Sequence, residues 1–229
     1  MTLPFSLSCR PPYLIASFEA PQAMLSWSLT RPGFQVARRV AWLGVRNADL
    51  PSWEDPADSI RRLMADADLG DAVMLVTSRD ITRYHLAHAA VDGETAVCLA
   101  TVGLSNSERV GVRCQEPVPQ PGTINTLVHV GRPLTEAAFV ETVSIVTQAR
   151  TAAVLDARVI RAGVAVTGTG TDCIVVAAPE GPDGARFAGL HTAVGEAVGD
   201  AVYRAVREGV DVWQRDFAAI VSETKSAAE

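Results

Sequence analysis

The order of its elements constrains this chain most: extended segments come first, and two long helical stretches are confined to the C-terminal half. Before Asp55, the apolar and β-branched clusters Tyr13–Phe18, Met24–Leu29 and Val36–Val45 are punctuated by Pro11-Pro12, Pro21 and Pro32-Gly33, which read as turns. Asp55 then Pro56 marks a helix start. Ile60, Leu63, Met64 and Ala67 recur at helical spacing until Gly70 supplies a stop. Ala72–Thr77 reads as a short buried strand, Tyr84–Leu104 as a hairpin about Asp92-Gly93, and Thr123–Val130 as a further strand. Pro133 and Thr135 open a helix reaching about Leu155, with Phe139, Val143, Val146 and Ala153 on one face. Val164–Ala178 is β-like, broken by a Gly-Thr repeat. The last helix runs from about His191 to Arg207, with Val194, Val198, Ala201 and Ala205 inward.

Strands that can pair as hairpins, followed by two long helices, predict an α+β fold. The expected form is a single layered domain over residues 1–217, a mixed or antiparallel sheet with the two long C-terminal-half helices packed on it. Residues 218–229 read as a small-residue, charged tail that frays. The chain has 229 residues and no linker-like stretch, is 48% hydrophobic and only 6% aromatic. Its core is therefore built mainly from Ala, Val, Leu and Ile, which lets layers approach closely.

Charge and cysteine usage exclude several function classes. A net charge of −6, with arginines scattered apart from Arg38-Arg39 and Arg61-Arg62, argues against a nucleic-acid partner. Cys9, Cys98, Cys114 and Cys173 form no Cys-x-x-Cys pair, which disfavours zinc and redox motifs and fits reduced thiols in a cytoplasm. There is no 18-residue apolar run, and Met1–Pro12 lacks the pattern of a signal peptide, so a cytoplasmic protein without membrane insertion is expected. Gly168-Thr169-Gly170 lacks dinucleotide-loop spacing and no Gly-Lys-Ser/Thr loop occurs, which argues against an ATP-driven reaction.

Four segments rich in Gly, Thr, Asn and Asp fall where strands end. They are Thr101–Asn106, Gly122–Leu127, Thr167–Asp172 and Gly189–Glu196. Each taken alone also reads as a plain turn or cap, with hydroxyls bonding the backbone, or as an acid favoured at a helix N-terminus. Together they suggest one pocket. Amide hydrolysis needs a nucleophile or activated water, a proton shuttle, and donors for an oxyanion. His191 is the candidate shuttle, with Asp172 or Glu196 orienting it or activating water. Asn106, Asn125 and loop N–H groups are candidate oxyanion donors. Thr123, Thr169 and Ser105 are candidate nucleophiles, and attack by water stays equally open. Thr101, Ser105, Asn106, Thr123, Thr169 and Thr171 are the expected substrate contacts. His85 and His88, three apart on a strand, point to opposite faces, and His129 reads as a hydrogen-bonded core residue. Cys173 sits beside a candidate loop but is followed by the apolar run Ile174–Ala178, which favours burial.

At these residues the chain resembles the adenosylcobinamide amidohydrolase family. The matching blocks are Thr-Val-Gly-Leu-Ser-Asn at Thr101–Asn106, Gly-Thr-Ile-Asn-Thr-Leu at Gly122–Leu127, and Arg-Pro-Leu-Thr-Glu-Ala-Ala at Arg132–Ala138. Thr-Gly-Thr-Gly-Thr-Asp at Thr167–Asp172, with its Ile-Val-Val-Ala strand, and Ala188–Glu196 complete the series. Their order and spacing match over the C-terminal half to two-thirds. The N-terminal third departs, since Leu29-Thr30-Arg31-Pro32-Gly33 keeps one glycine of a Gly-rich turn. The resemblance implies hydrolysis of the amide joining aminopropanol to the corrin ring of adenosylcobinamide, giving adenosylcobyric acid for cobamide salvage. It implies no cofactor, cobalt entering only with the corrinoid substrate; no protein metal site is evident in the sequence, and a homo-oligomer is compatible with it. Two other readings stay open: a non-catalytic corrinoid-binding protein, and a Thr- or Ser-nucleophile amidase acting on another small amide.

Overall fold

The computed structural model of the chain describes residues 2–46, 55–112 and 122–226, with side chains described to Ala218. In chain order it forms β1 (Phe5–Arg10), β2 (Tyr13–Ser26), β3 (Gly33–Gly44), α1 (Pro56–Asp66), β4 (Val73–Thr77), β5 (Tyr84–Val91), β6 (Glu94–Val102) and β7 (Ser107–Glu108). There follow β8 (Ile124–Val130), α2 (Glu136–Asp156), β9 (Ile160–Arg161), β10 (Val164–Ala165), β11 (Gly168–Thr169), β12 (Cys173–Pro179) and α3 (Ala193–Ser226). One sheet runs in the order β4-β3-β2-β12-β8-β6-β5, with β1 laid beside β2. The pairs β3–β4 and β8–β12 are parallel and the rest antiparallel, so the sheet is mixed and the fold is α+β, as the sequence predicts.

Local chemistry explains the boundaries. The Asp55 carboxylate accepts from the Ala57 and Asp58 N–H groups at 2.8 and 3.2 Å, with Pro56 in the first turn. The Thr135 hydroxyl accepts from Ala138 N–H at 3.3 Å and opens α2. Asp92 and Gly93 both have positive φ, 49° and 88°, the geometry a two-residue hairpin turn requires between β5 and β6.

Pro21 does not end a strand. β2 runs through it, because the pairing of β2 with β3 shifts register between Ser17 and Gln22. A proline cannot donate to a ladder, and an irregularity is where a sheet tolerates one. The first half of β2 pairs with β1 and the second half with β12, so the sheet bends at this point. The bend shows in the core. A single cluster unites Val73 and Leu75 of β4, Trp42 of β3 and Leu14 and Met24 of β2 with Val175 of β12, Leu127 of β8 and Leu99 of β6. The sheet thus curls so that its two wings share one concave interior.

The convex face carries the helices. Cys98, Ala100, Val102, Ile124, Val128, Ile174 and Val176 pack against Ala138, Ile145, Val146, Val198, Ala201, Val202 and Ala205 of α2 and α3. Every residue of β8 is buried, as expected of a strand covered on both faces. On the β3–β4 wing, Ile60 and Met64 of α1 cover Ala41, Leu43 and Met74. α3 is longer than the spacing predicts and continues to Ser226, and residues 227–229 of the expected tail lie outside the described residues. No Gly or Pro interrupts it after Gly209, and Arg79 holds Asp216 at 2.5 Å. Among the described residues no helix is long and apolar enough to cross a membrane.

The parallel pair β8–β12 sets the polarity of the molecule. The segments that precede these strands meet at one end of the sheet. The segments that follow them, leading into α2 and α3, lie at the other, about 20 Å away along a seven-residue strand.

Candidate active site

A cleft of about 490 Å³ opens where β8 and β12 begin and β4 ends. Its floor holds Gly122, Thr123, Asn125, Gly170, Thr171 and Asp172. Thr77 and Ser78 come from the end of β4, and Val45, Pro56, Ile60 and Met74 form an apolar wall. Trp27, Ser28 and Leu29, just past the end of β2, stand at its mouth, with Trp27 47% and Leu29 57% exposed.

Two of the four sequence-predicted segments form the floor. Thr123 is buried at the head of β8, and its hydroxyl lies 2.8 Å from the Thr171 carbonyl and 3.3 Å from Asn125 Oδ1. Asn125 is buried and donates through Nδ2 to the Val76 carbonyl of β4 at 2.9 Å. β8 and β4 are separated in the sheet by β12, β2 and β3, so this bond closes the concave side over the interior.

Asp172 is the hub of the loop before β12. One carboxylate oxygen accepts from Ile124 N–H at 2.9 Å and from the Thr169 hydroxyl. The other accepts from Thr169 N–H at 3.0 Å and from Arg150 of α2 at 2.8 Å. Both ion-pair partners are largely buried, with side chains 7% and 12% exposed. With about four acceptor sites per carboxylate, all occupied, Asp172 is built to hold the Gly168–Thr171 turn against β8. No imidazole is among these partners. Thr169 likewise spends its hydroxyl on Asp172.

The segment containing Ser105 and Asn106 forms a second layer. Asn106 Nδ2 lies 3.4 Å from the Thr171 hydroxyl, which itself lies 3.2 Å from the Gly122 carbonyl, and the Asn106 carbonyl accepts from Gly170 N–H at 3.2 Å. A side chain on Gly122 would place its Cβ 2.8 Å from Ser105 N and 3.1 Å from Asn106 N, so this position needs glycine for the layers to meet. Ser105, Asn106 and Thr101 do not line the cleft. Thr101 is fully buried, paired in register with Asn125, and its hydroxyl has no hydrogen-bond partner among the described residues.

His191 and Glu196 lie elsewhere. The Thr192 hydroxyl accepts from Gly195 N–H at 2.9 Å and caps α3, with His191 just before it and both His191 and Glu196 exposed. This is the end of the sheet beyond the C-termini of β8 and β12, whereas Thr123, Asn125 and Asp172 stand at their beginnings. Neither side chain lines the cleft, and strand length separates them from its floor.

The remaining titratable groups follow their burial. Cys173 lines the cleft, but burial pushes its thiol up to about 11, opposed by its contact with Ser26 at 3.8 Å, so it is protonated at neutral pH. His129 sits in the core with Nε2 3.2 Å from Gln22 Oε1, and burial pulls it down to about 4. His85 faces α3 while His88 lies on the other face of β5, and burial also lowers His85. Cys9, Cys98 and Cys173 are free thiols, and Cys114 lies outside the described residues. No group of three or more His, Cys, Asp or Glu that could hold a metal ion occurs among the described residues.

Sequence reasoning passed over Trp27, Leu29, Thr77 and Ser78. The available signal was Trp27 itself, a large aromatic shortly before the Pro32-Gly33 turn.

Comparison with known proteins gives a consistent picture. The family model described as adenosylcobinamide amidohydrolase matches residues 4–217. An adenosylcobinamide amidohydrolase of Halobacterium salinarum is 34% identical over 164 residues, covering 69% of this chain, and the chain spans 65% of that relative's length. The uncharacterized protein MJ1613 of Methanocaldococcus jannaschii is 26% identical over 223 residues, covering 86% of this chain and 85% of that protein. Among solved structures, the PH0078 protein of Pyrococcus horikoshii aligns over 91% of this chain and 79% of its own. That alignment has 12% identity and a TM-score of 0.43, too low to support a shared fold.

Proposed function

From the premise that this chain belongs to the adenosylcobinamide amidohydrolase family, we propose that it hydrolyses the amide linking aminopropanol to the corrin ring of adenosylcobinamide. The products are adenosylcobyric acid and aminopropanol, and the reaction serves cobamide salvage. The observation that carries this reading is the cleft at the start of β8 and β12. It joins an apolar wall to a polar floor containing Thr123, Asn125 and Thr171, the combination an amphipathic amide substrate needs.

In this reading the scissile amide reaches the floor. Asn125 offers a substrate carbonyl the amide hydrogen that Val76 does not take, and so stabilises the developing oxyanion. Thr123 is the hydroxyl at the reacting centre. Of the three hydroxyl candidates, Thr123, Thr169 and Ser105, it alone lines the cleft. Asp172 acts as a positioning residue, fixing the Thr169–Thr171 turn that forms one side of the floor.

The test is incubation of purified protein with adenosylcobinamide in the absence of ATP, with products separated by chromatography. Adenosylcobyric acid is expected from the native chain. Thr123→Ala should lose about a hundredfold or more in rate, the cost of removing one reacting group or oxyanion donor. Corrinoid binding without product would replace the hydrolase reading with a binding protein.

A further inference from the structure

We propose that the exposed indole of Trp27 is the platform on which the corrin macrocycle rests while its amide arm enters the cleft, which makes Trp27 a specificity-determining residue. This rests on the corrinoid reading above and adds to it where the ring sits. At about 490 Å³ the cleft is the size that encloses a drug-sized molecule, roughly 300–1,000 Å³. A corrin with its axial adenosyl group is far bulkier than that, so only an arm and the ring edge can enter. The ring must lie at the mouth.

Among the described residues the mouth offers one flat aromatic face. Trp27 is 47% exposed between two buried serines, Ser26 and Ser28, and Leu29 beside it is 57% exposed. The indole is held in place rather than left to swing, because Nε1 donates to the Asp172 main-chain carbonyl at 3.0 Å. Asp172 is in turn clamped by Ile124, Thr169 and Arg150. A pre-oriented aromatic face at low entropy cost stacks in offset fashion on a conjugated ring and tolerates variation in its substituents. The ring contact is the same in the ground and transition states, so it acts on binding and leaves the chemical step unchanged.

The experiment compares the native chain with Trp27→Ala and Trp27→Gln, measuring kcat and KM for adenosylcobinamide and the Kd of adenosylcobyric acid, which carries the ring without the aminopropanol. Trp27→Gln keeps an N–H for the Asp172 carbonyl while removing the flat face, and it carries the test if Trp27→Ala melts early. Both variants should raise KM and product Kd about tenfold with kcat within about twofold, the scale of one lost aromatic stack. A native chain that turns over adenosylcobinamide while the variants keep KM and Kd overturns the platform and leaves the function standing. A fall in kcat alone also overturns it, in favour of a purely structural tie to Asp172. A native chain that neither binds nor hydrolyses corrinoid overturns the functional reading and this inference with it.

Discussion

The side-chain amide of Asn125 donates to the main-chain carbonyl of Val76 at 2.9 Å, joining two strands that β12, β2 and β3 separate in the sheet. One residue thereby fixes the curl of the sheet and stands on the floor of the cleft. Asn125→Ala leaves the part-buried Val76 carbonyl without this partner, which costs about 0.5–1.5 kcal/mol of stability. Thermal melting should show that loss. Turnover should fall about a hundredfold or more through loss of an oxyanion donor. Unchanged turnover would remove Asn125 from the reacting centre.

Arg150 and Asp172 form a largely buried pair whose carboxylate also holds Ile124 and Thr169. Asp172→Asn leaves Arg150 buried and uncompensated, a change that costs about 3–5 kcal/mol when a buried pair is broken on one side. Activity should drop about tenfold or more because the Thr169–Thr171 turn is released. A double variant with Arg150→Met should recover part of the stability and none of the activity, measured as a double-mutant cycle. Equal recovery of both would mean that charge, rather than loop position, is what Asp172 supplies.

His191 and Glu196 stand beyond the opposite ends of β8 and β12 from the cleft. His191→Ala and Glu196→Gln should keep kcat/KM within about twofold, as surface substitutions away from a site do. A tenfold loss in steady-state assays with either variant would move the site to the α3 N-terminus.

His129 is buried against Gln22 and pulled down to about 4, from an ordinary value of 6.5. The unfolded chain therefore takes up this proton at higher pH than the folded one. The stability tied to it is complete above about pH 6.5 and is lost as pH falls towards about 4, by about 3 kcal/mol. Denaturant melts between pH 7 and 4 should show the decline. His129→Gln should flatten it in part, since His85 is lowered by burial as well. A slope identical in the variant would contradict the assignment.

Much of the fold is legible in the sequence because its signals are local. Asp55-Pro56, Thr135 and Asp92-Gly93 act through caps and turns a few residues long. Pro21 misleads for the same reason: whether a proline breaks a strand depends on a register shift against β3, which no local pattern records. The site divides along the same line. The polar loops at Gly122–Asn125 and Thr167–Asp172 meet because β8 and β12 are parallel, so the loops before them share an end. That same pairing sends His191 and Glu196 to the far end. A sequence lists four polar loops without saying at which end of the sheet each falls. Trp27 joins the site only because β2 runs antiparallel to β12, bringing the end of β2 beside Asp172.

The central claim, amide hydrolysis at the Thr123–Asn125 floor, is tested most directly by following aminopropanol release from adenosylcobinamide in ATP-free, ¹⁸O-enriched water with the native chain and Thr123→Ala. The account predicts one aminopropanol and one adenosylcobyric acid per turnover, ¹⁸O in the new carboxylate, and loss of about a hundredfold or more in the variant. Equal rates for the two proteins, or no ¹⁸O in the product, would contradict it.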